Sequence, residues 1–249
     1  MSNYIRKIIV VGENGNGKSL TCNTLLGKEI FDGSKRLRTA GCETCYLHTR
    51  SVNLWVVDSP GMFEPVSVLA ERALEIQNAV KECKDPHAFL IVFRADSRTE
   101  DRNTNTIEML RLIFGEVFFK HAIVVITNAA KFKSDADFQS YRKQGKMSQI
   151  VDLCQGRIVR LENKDASPQK KREMIDKVFA LVDNVSRMGN FCYENKELHC
   201  HREMLEYHLK HVAANMPVNN QIEEMKRCLR ENLQENGSDS GYYEVAKRH

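Results

Sequence analysis

A glycine-rich segment of eight residues constrains the fold of this chain more than any other feature. It reads Gly12-Glu13-Asn14-Gly15-Asn16-Gly17-Lys18-Ser19, follows the apolar run Ile8 to Val11 and precedes a helical pattern beginning at Leu20. The segment fits G-x-x-x-x-G-K-[ST] at every fixed position, in the strand-to-helix context of a phosphate-binding loop. Its glycines let backbone N–H groups point into one concavity beside the positive end of a helix dipole. The segment therefore predicts a site for a nucleoside triphosphate.

The side chains of this loop have separate predicted roles. Lys18 is expected to reach the β- and γ-phosphates, and the hydroxyl of Ser19 is expected to ligate Mg²⁺. The other residues from Gly12 to Leu20 are expected to line the nucleotide. The alternative is a glycine-rich turn with a solvated lysine, but strand, glycines, lysine, serine and helix all agree with the nucleotide site.

Length and charge bound the class of protein. The chain has 249 residues and a formal net charge of +4, enough length for one large α/β domain with a modest extension. The basic excess is small and scattered and no base-stacking motif accompanies it, so no nucleic acid partner is expected. No secretory signal or transmembrane-length apolar run is visible. We expect a cytoplasmic protein without a transmembrane segment, with peripheral membrane contact left open.

The eight cysteines predict reduced thiols, because they are dispersed through predicted strands and helices. Cys42-x-x-Cys45 lacks a second ligand pair at zinc-site spacing. The cluster Cys192, His199, Cys200 and His201 matches no zinc template. Both are better explained without a metal.

Apolar runs alternating with helical periodicity predict an α/β fold, a mostly parallel sheet with helices on both faces. The predicted strands are 5–11, 46–52, 54–57, 88–93, 122–127 and 157–161, and 31–45 is predicted to be loop. The predicted helices are 18–26, 67–83, 106–114 and 138–154, followed by one that begins at Pro168 and has an apolar stripe up to Val185.

The last quarter of the chain changes character. We expect the main domain to occupy residues 1–187 and residues 188–249 to form a helical extension with a flexible polar tail from about 236. Its apolar stripes are Leu205, Leu209 and Val212, then Ile222, Met225, Leu229 and Leu233. Such stripes usually pack against their own domain; a partner or a membrane surface is the alternative.

A second phosphate-side motif, Asp58-Ser59-Pro60-Gly61, follows the predicted strand 54–57. Asp58 can hold Mg²⁺ through a water, and the N–H of Gly61 can contact a γ-phosphate. In the loop before it, Thr39 or Thr44 could close over the metal and the γ-phosphate, and we favour Thr44 because it precedes a strand.

These residues resemble the immunity-associated GTPases, known as the GIMAP or AIG family and related to septins and the Toc import GTPases. The resemblance covers about residues 5–190 and rests on both phosphate motifs, on Glu43-Thr44-Cys45, and on a box that generic small GTPases lack. The box comprises the segments 85–93 (DPHAFLIVF), 98–101 (RTED) and 113–116 (IFGE). The resemblance implies a P-loop G domain that binds GTP or GDP with Mg²⁺ and forms a homodimer through its nucleotide face.

The base-recognition motifs depart from the family pattern. Thr127-Asn128-Ala129-Ala130 stands where relatives commonly end in an aspartate that reads guanine. Guanine preference must then come from Asn128, from Asp135 or Asp137, or from backbone groups. Leu161-Glu162-Asn163-Lys164 resembles the family's fifth motif, so Glu162 or Asn163 could contact the base edge.

Hydrolysis is the second point of departure. Met62 occupies the position of the glutamine that orients the attacking water in Ras-type enzymes, so a monomer is expected to hydrolyse GTP slowly. The resemblance implies that an arginine can act on the partner's site, and Arg98 is the candidate for this arginine finger. The alternatives are a nucleotide-dependent scaffold with negligible turnover, and a P-loop kinase or ATPase.

Overall fold

The computed structural model describes residues 4–31, 42–48, 53–63, 69–96, 100–211 and 216–235. Its strands are β1 Arg6–Gly12, β2 Glu43–His48, β3 Asn53–Asp58, β4 Ala88–Arg94, β5 Ala122–Thr127 and β6 Ile158–Arg160. They form one six-stranded sheet in the order β2-β3-β1-β4-β5-β6. Strand β2 is antiparallel to β3, and every other neighbouring pair is parallel. The predicted mostly parallel sheet is confirmed.

Helices connect the strands and follow the last of them. They are α1 Lys18–Leu26, α2 Leu69–Cys83, α3 Glu100–Phe114, α4 Phe118–His121, α5 Asp135–Tyr141, α6 Gly145–Leu153, α7 Pro168–Val185, α8 Leu198–His211 and α9 Val218–Glu235, with a single 3₁₀ turn at Ala129–Lys131. None of the helices in the described ranges is both long and apolar enough to cross a membrane.

The two faces of the sheet bury separate hydrophobic clusters, because side chains alternate along each strand. Ile8 and Val10 point to the face covered by α1 and α7. Ile9 and Val11 point to the opposite face, where α2, α3, α6, α8 and α9 contribute to the cluster. Burial on both faces explains why the parallel strands read as continuous apolar runs.

Several element boundaries differ from the sequence prediction. Strand β2 begins at Glu43, inside the predicted loop, because Glu43 pairs with Asp58 in the antiparallel ladder. The predicted helix 138–154 is two helices, separated at residues 142–144, and Gly145 has a φ of 48° that interrupts a regular helix. The first of these, α5, begins early because Ser134 and Asp137 form a capping box. Helix α3 also begins six residues before the prediction, at Glu100.

The two C-terminal helices pack on the same face of the sheet as α2 and α3. Helix α8 contacts α2 and α3, and α9 contacts α3 and α8. The predicted stripe on α9 is confirmed, because its four apolar residues are buried. On α8 the prediction is right for Leu205 but wrong for Leu209, which is 38% exposed because the inward positions are 201, 204, 205 and 208. Val212 and the tail from 236 lie outside the described residues, and the boundary at 187 stays a prediction.

Candidate nucleotide-binding site

The glycine-rich loop connects the end of β1 to the start of α1 at the carboxyl edge of the sheet. Gly12 has a φ of 145°, and a Cβ there would lie 2.6 Å from the carbonyl oxygen of Val92 on β4. Gly17 is the N-cap of α1, with a φ of 91° in the left-handed region. Both positions require glycine, since a side chain would strain the backbone or collide with the neighbouring strand.

Hydrogen bonds from two strands fasten the middle of the loop. The Asn16 amide donates to the Val92 carbonyl at 3.0 Å, and the Thr127 hydroxyl donates to the Asn16 carbonyl at 2.7 Å. The buried Lys18 ammonium donates to the Glu13 carbonyl at 3.0 Å, which folds its side chain back over the loop. The loop thus carries a positive charge and a helix N-terminus, the features that bind phosphate.

A buried carboxylate and a hydroxyl meet beside the first turn of α1. Ser19 Oγ donates to Asp58 Oδ2 at 2.5 Å, and Asp58 is only 1% exposed. No described residue donates a hydrogen bond to the other oxygen, Oδ1. Burial raises the pKa of Asp58, although the Ser19 hydroxyl and the Lys18 charge oppose the shift. A buried oxygen without a partner and an adjacent hydroxyl fit a hard cation such as Mg²⁺.

The segment after Asp58 lies against the loop. A Cβ on Gly61 would lie 2.7 Å from the Cβ of Asn14, so the two backbones are in close contact. The next residue, Met62, is 1% exposed and belongs to the cluster shared with α2. Its side chain therefore fills the core.

Of the two predicted catalytic residues, only Thr44 lies within the described residues. Thr44 lies on β2 opposite Val57, and its hydroxyl donates to Glu82 of α2 at 3.3 Å. Val57 faces the α2 side of the sheet, whereas Asp58 reaches Ser19 on α1. The role of Thr44 at the metal stays a prediction. Arg98 and Thr39 lie outside the described residues.

The base end of the site, meaning the residues predicted to contact the nucleotide base, lies in the loops that follow β5 and β6. Glu162 is 6% exposed, and its carboxylate accepts the N–H groups of Ala130 at 2.9 Å and Lys164 at 3.1 Å. Burial would raise the pKa of Glu162, but the N–H groups of Ala130, Lys164 and Asp165 prevail and lower it. An anionic carboxylate therefore lies beside Ala130, the last residue of the predicted base-recognition motif 127–130.

Asn163 and Asn128 flank this carboxylate. Asn163 accepts from the Thr24 hydroxyl at 2.8 Å and lies 3.6 Å from a Cβ built on Gly17, next to the phosphate loop. Asn128 has a φ of 57°, and its side chain is one of the groups that lower the pKa of the Asp96 carboxyl. The Thr127 hydroxyl donates to the Asn16 carbonyl, so it contacts the backbone of the phosphate loop.

The two alternative guanine readers have other partners. Asp137 completes the capping box of α5, and Asp135 forms an ion pair with Arg160. A cavity of about 460 Å³ is lined by residues that include Ala130, Glu162 and Asp135. The structure thus brings Glu162, rather than these aspartates, to the backbone of Ala130.

Sequence reasoning missed two supporting side chains. Thr106 on α3 donates to the Glu13 carboxylate at 3.1 Å, and Asp96 contacts Asn128. Thr106 and Asn103 are polar among the otherwise apolar buried residues described on α3, and this pattern was the available signal. For Asp96 no comparable pattern exists, because the contact depends on how β4 and β5 are paired.

The chain is similar to several known proteins. The sequence model of the AIG1 family matches residues 6–212. Immune-associated nucleotide-binding protein 5 of Arabidopsis thaliana is 30% identical over 92% of this chain and 78% of its own length. Protein 4 of the same series is 29% identical over 80% of this chain and 63% of its own.

Solved structures with a similar fold include Toc33 from Arabidopsis thaliana. A dimerization-deficient mutant of Toc33 matches with a TM-score of 0.60 at 20% identity, over 72% of this chain and 84% of that one. Toc33 in complex with Mg²⁺ and GMPPNP matches with a TM-score of 0.56 at 20% identity and the same coverage. At this identity the likeness establishes the fold, which is that of a P-loop G domain.

Proposed function

Because this chain belongs to the AIG1 family, we propose that it is a Mg²⁺-dependent GTPase that switches between GTP-bound and GDP-bound states. The observation that carries the proposal is the pairing of Ser19 with the buried Asp58 at the foot of the Lys18 loop. Among the described residues, the second carboxylate oxygen of Asp58 has no hydrogen-bond partner, so it could accept a nucleotide-bound cation. Toc33, a protein of the same fold, has been solved with GDP and Mg²⁺.

The phosphate end would work by positioning and charge. Backbone N–H groups from Gly12 to Ser19 surround the phosphates, and Lys18 exchanges the Glu13 carbonyl for β- and γ-phosphate oxygens. Ser19 and Asp58 would hold Mg²⁺, which would supply positive charge beside the phosphates. Gly61, packed on Asn14, senses the γ-phosphate and relays its loss to the segment before α2.

At the base end we propose that Glu162 reads guanine. A carboxylate accepts hydrogen bonds from the ring N–H and the exocyclic amine of guanine, a donor pair that adenine does not offer. Two backbone N–H groups already orient Glu162, so its geometry is fixed before the base arrives. Asn163 and Asn128 would flank the base from either loop.

Hydrolysis is proposed to be slow in the monomer and faster in a homodimer. Met62 is buried and cannot orient a water. The partner would contribute Arg98 across the nucleotide face, because a positioned arginine can supply about 10³-fold or more in turnover. For the chloroplast translocon components Toc33 and Toc159, dimerization is important for GTPase activity.

The test is phosphate release from GTP and ATP over a range of protein concentrations. We expect specific activity with GTP to rise with concentration, Arg98→Ala to abolish that rise, and Glu162→Gln to reduce the preference for GTP. Glu173→Gln, at an exposed position on α7, is the matched control. A flat specific activity contradicts the dimer, and equal turnover of ATP by the unaltered protein contradicts guanine selectivity.

A nucleotide-dependent scaffold with negligible turnover is the second candidate. The burial of Met62 favours it, because a methionine side chain in the core cannot orient a water as the glutamine does. In the same assay a scaffold would bind GTP and dimerise without releasing phosphate at any concentration.

A further inference from the structure

A buried hydroxyl on α3 contacts the phosphate loop from outside. Thr106 is fully buried, and its Oγ1 donates to Oε1 of Glu13 at 3.1 Å, although the two residues are 93 positions apart. Glu13 is only 9% exposed. The contact therefore lies in the interior, at the junction of helix and loop.

The hydroxyl lies on a mostly apolar face of the helix. Apart from Asn103, the other buried residues described on α3 are apolar, among them Ile107, Leu110 and Ile113. Valine has almost the same shape as threonine and would bury more apolar surface there. A buried hydroxyl at this position stabilises the protein only if it forms a hydrogen bond. A buried carboxylate can accept that hydrogen bond.

Glu13 also forms a hydrogen bond with Lys18, the lysine of the loop. Its backbone carbonyl accepts from Lys18 Nζ at 3.0 Å, while its side chain is held by Thr106. The described contacts thus fasten the loop at Asn16, which is tied to β4 and β5, and at Glu13, which is tied to α3. Only the second tie involves the residue that receives the Lys18 ammonium.

We infer that Thr106 is a positioning residue of the phosphate loop, acting through Glu13 to fix the backbone that presents Lys18. The inference rests on the proposed function, because it assigns Thr106 a part in nucleotide binding. GDP and GTP both place a β-phosphate against this loop, so Thr106 supports both nucleotides. Its loss weakens both to a similar extent.

The test compares two substitutions of one residue. Thr106→Val keeps the shape and removes the donor, whereas Thr106→Ser keeps the donor and removes a methyl group. Equilibrium binding of GDP and GTP in Mg²⁺ is measured well below the melting temperature. We expect Thr106→Val to lose about tenfold or more in affinity for both nucleotides, since hydrogen bonds to charged groups are among the stronger ones. Thr106→Ser is expected to stay within about twofold of the unaltered protein.

Ile113→Val is the control for general loosening of α3, because Ile113 is fully buried in the same helix away from the loop. It should lower the melting temperature without changing nucleotide affinity. Equal affinities for the valine and serine variants would overturn the inference, as would an affinity loss in Ile113→Val matching that of Thr106→Val. Nucleotide binding by the unaltered protein is measured before any variant is compared. If the unaltered protein binds neither GDP nor GTP, the proposed function is refuted.

Discussion

At the scale of single residues, the site contains charges that the fold alone would not favour. Asp58 is buried with one oxygen lacking a described partner, and burial raises its pKa. Its folded pKa lies above the unfolded value, so ionised Asp58 reduces stability. This penalty is absent below the unfolded pKa and grows as pH rises through the folded pKa. Carboxylates kept at such a cost are common at functional sites.

Replacing Asp58 by asparagine should separate stability from function. In Asp58→Asn, we expect the free energy of unfolding of the nucleotide-free protein to be unchanged or higher at pH 7, because a buried charge is removed. GTP affinity in Mg²⁺ should fall by about 10- to 100-fold, the usual cost of losing a carboxylate that supports a metal. Chemical denaturation and fluorescence titration measure the two quantities. An equal loss of affinity in EDTA would contradict a role through the metal.

At the scale of elements, the inward face of α8 joins the C-terminal helices to the rest of the protein. Met204 and Leu205 are fully buried in the cluster that contains α2 and α3. Lys226 of α9 forms an ion pair with Glu108 of α3 at 2.8 Å. These contacts predict that α8 and α9 unfold together with the sheet.

Two leucines on α8 test this packing within one helix. Leu205→Ala should lower the free energy of unfolding by about 2–5 kcal/mol, because it leaves a cavity in a closed core. Leu209→Ala, at an exposed position, should change it by less than about 0.5 kcal/mol. Denaturant melts followed by circular dichroism measure both. Similar losses for the two variants would contradict the observed orientation of α8.

The same helix buries a histidine that makes stability depend on pH. Burial outweighs the Leu112 carbonyl, to which His201 Nδ1 hydrogen-bonds at 2.8 Å, and lowers the pKa of His201 to about 4. Because the folded pKa lies below the usual value of about 6.5, stability is complete above that value and declines as pH falls towards 4.

We expect this histidine to contribute a loss of about 2 kcal/mol between pH 7 and pH 5. Denaturant melts at the two pH values should show a smaller loss for His201→Gln than for the unaltered protein. His208, His121 and His87 also have lowered pKa values from burial, and they titrate in both proteins. An identical pH dependence in the variant would show that His201 is not responsible.

At the scale of the whole molecule, the parts of the fold that local sequence encodes were predictable. The run from Ile8 to Val11, the loop that follows it and the four-residue stripe on α9 are local patterns, and the structure has the elements that they predict. The start of β2 was not predictable, because pairing with β3 overrides a loop-like composition at Glu43.

The site divides in the same way. The phosphate end follows from a contiguous motif, whereas the base end depends on contacts between distant loops. Glu162 lies 32 positions from Ala130 and reaches its N–H group only because β5 and β6 are neighbours in the sheet. Likewise, Thr106 meets Glu13 only because α3 packs beside the end of β1.

The assignment of residues 12–19 as a GTP site is tested most directly by equilibrium binding of GTP in the presence of Mg²⁺, with ATP as competitor. We predict that the unaltered protein and Lys28→Ala, whose lysine is exposed just beyond α1, bind GTP equally well and in preference to ATP. Lys18→Ala should lose most of that affinity, since its ammonium is the loop's cation for the β- and γ-phosphates. Normal GTP affinity in Lys18→Ala would contradict the assignment of residues 12–19 as the nucleotide site.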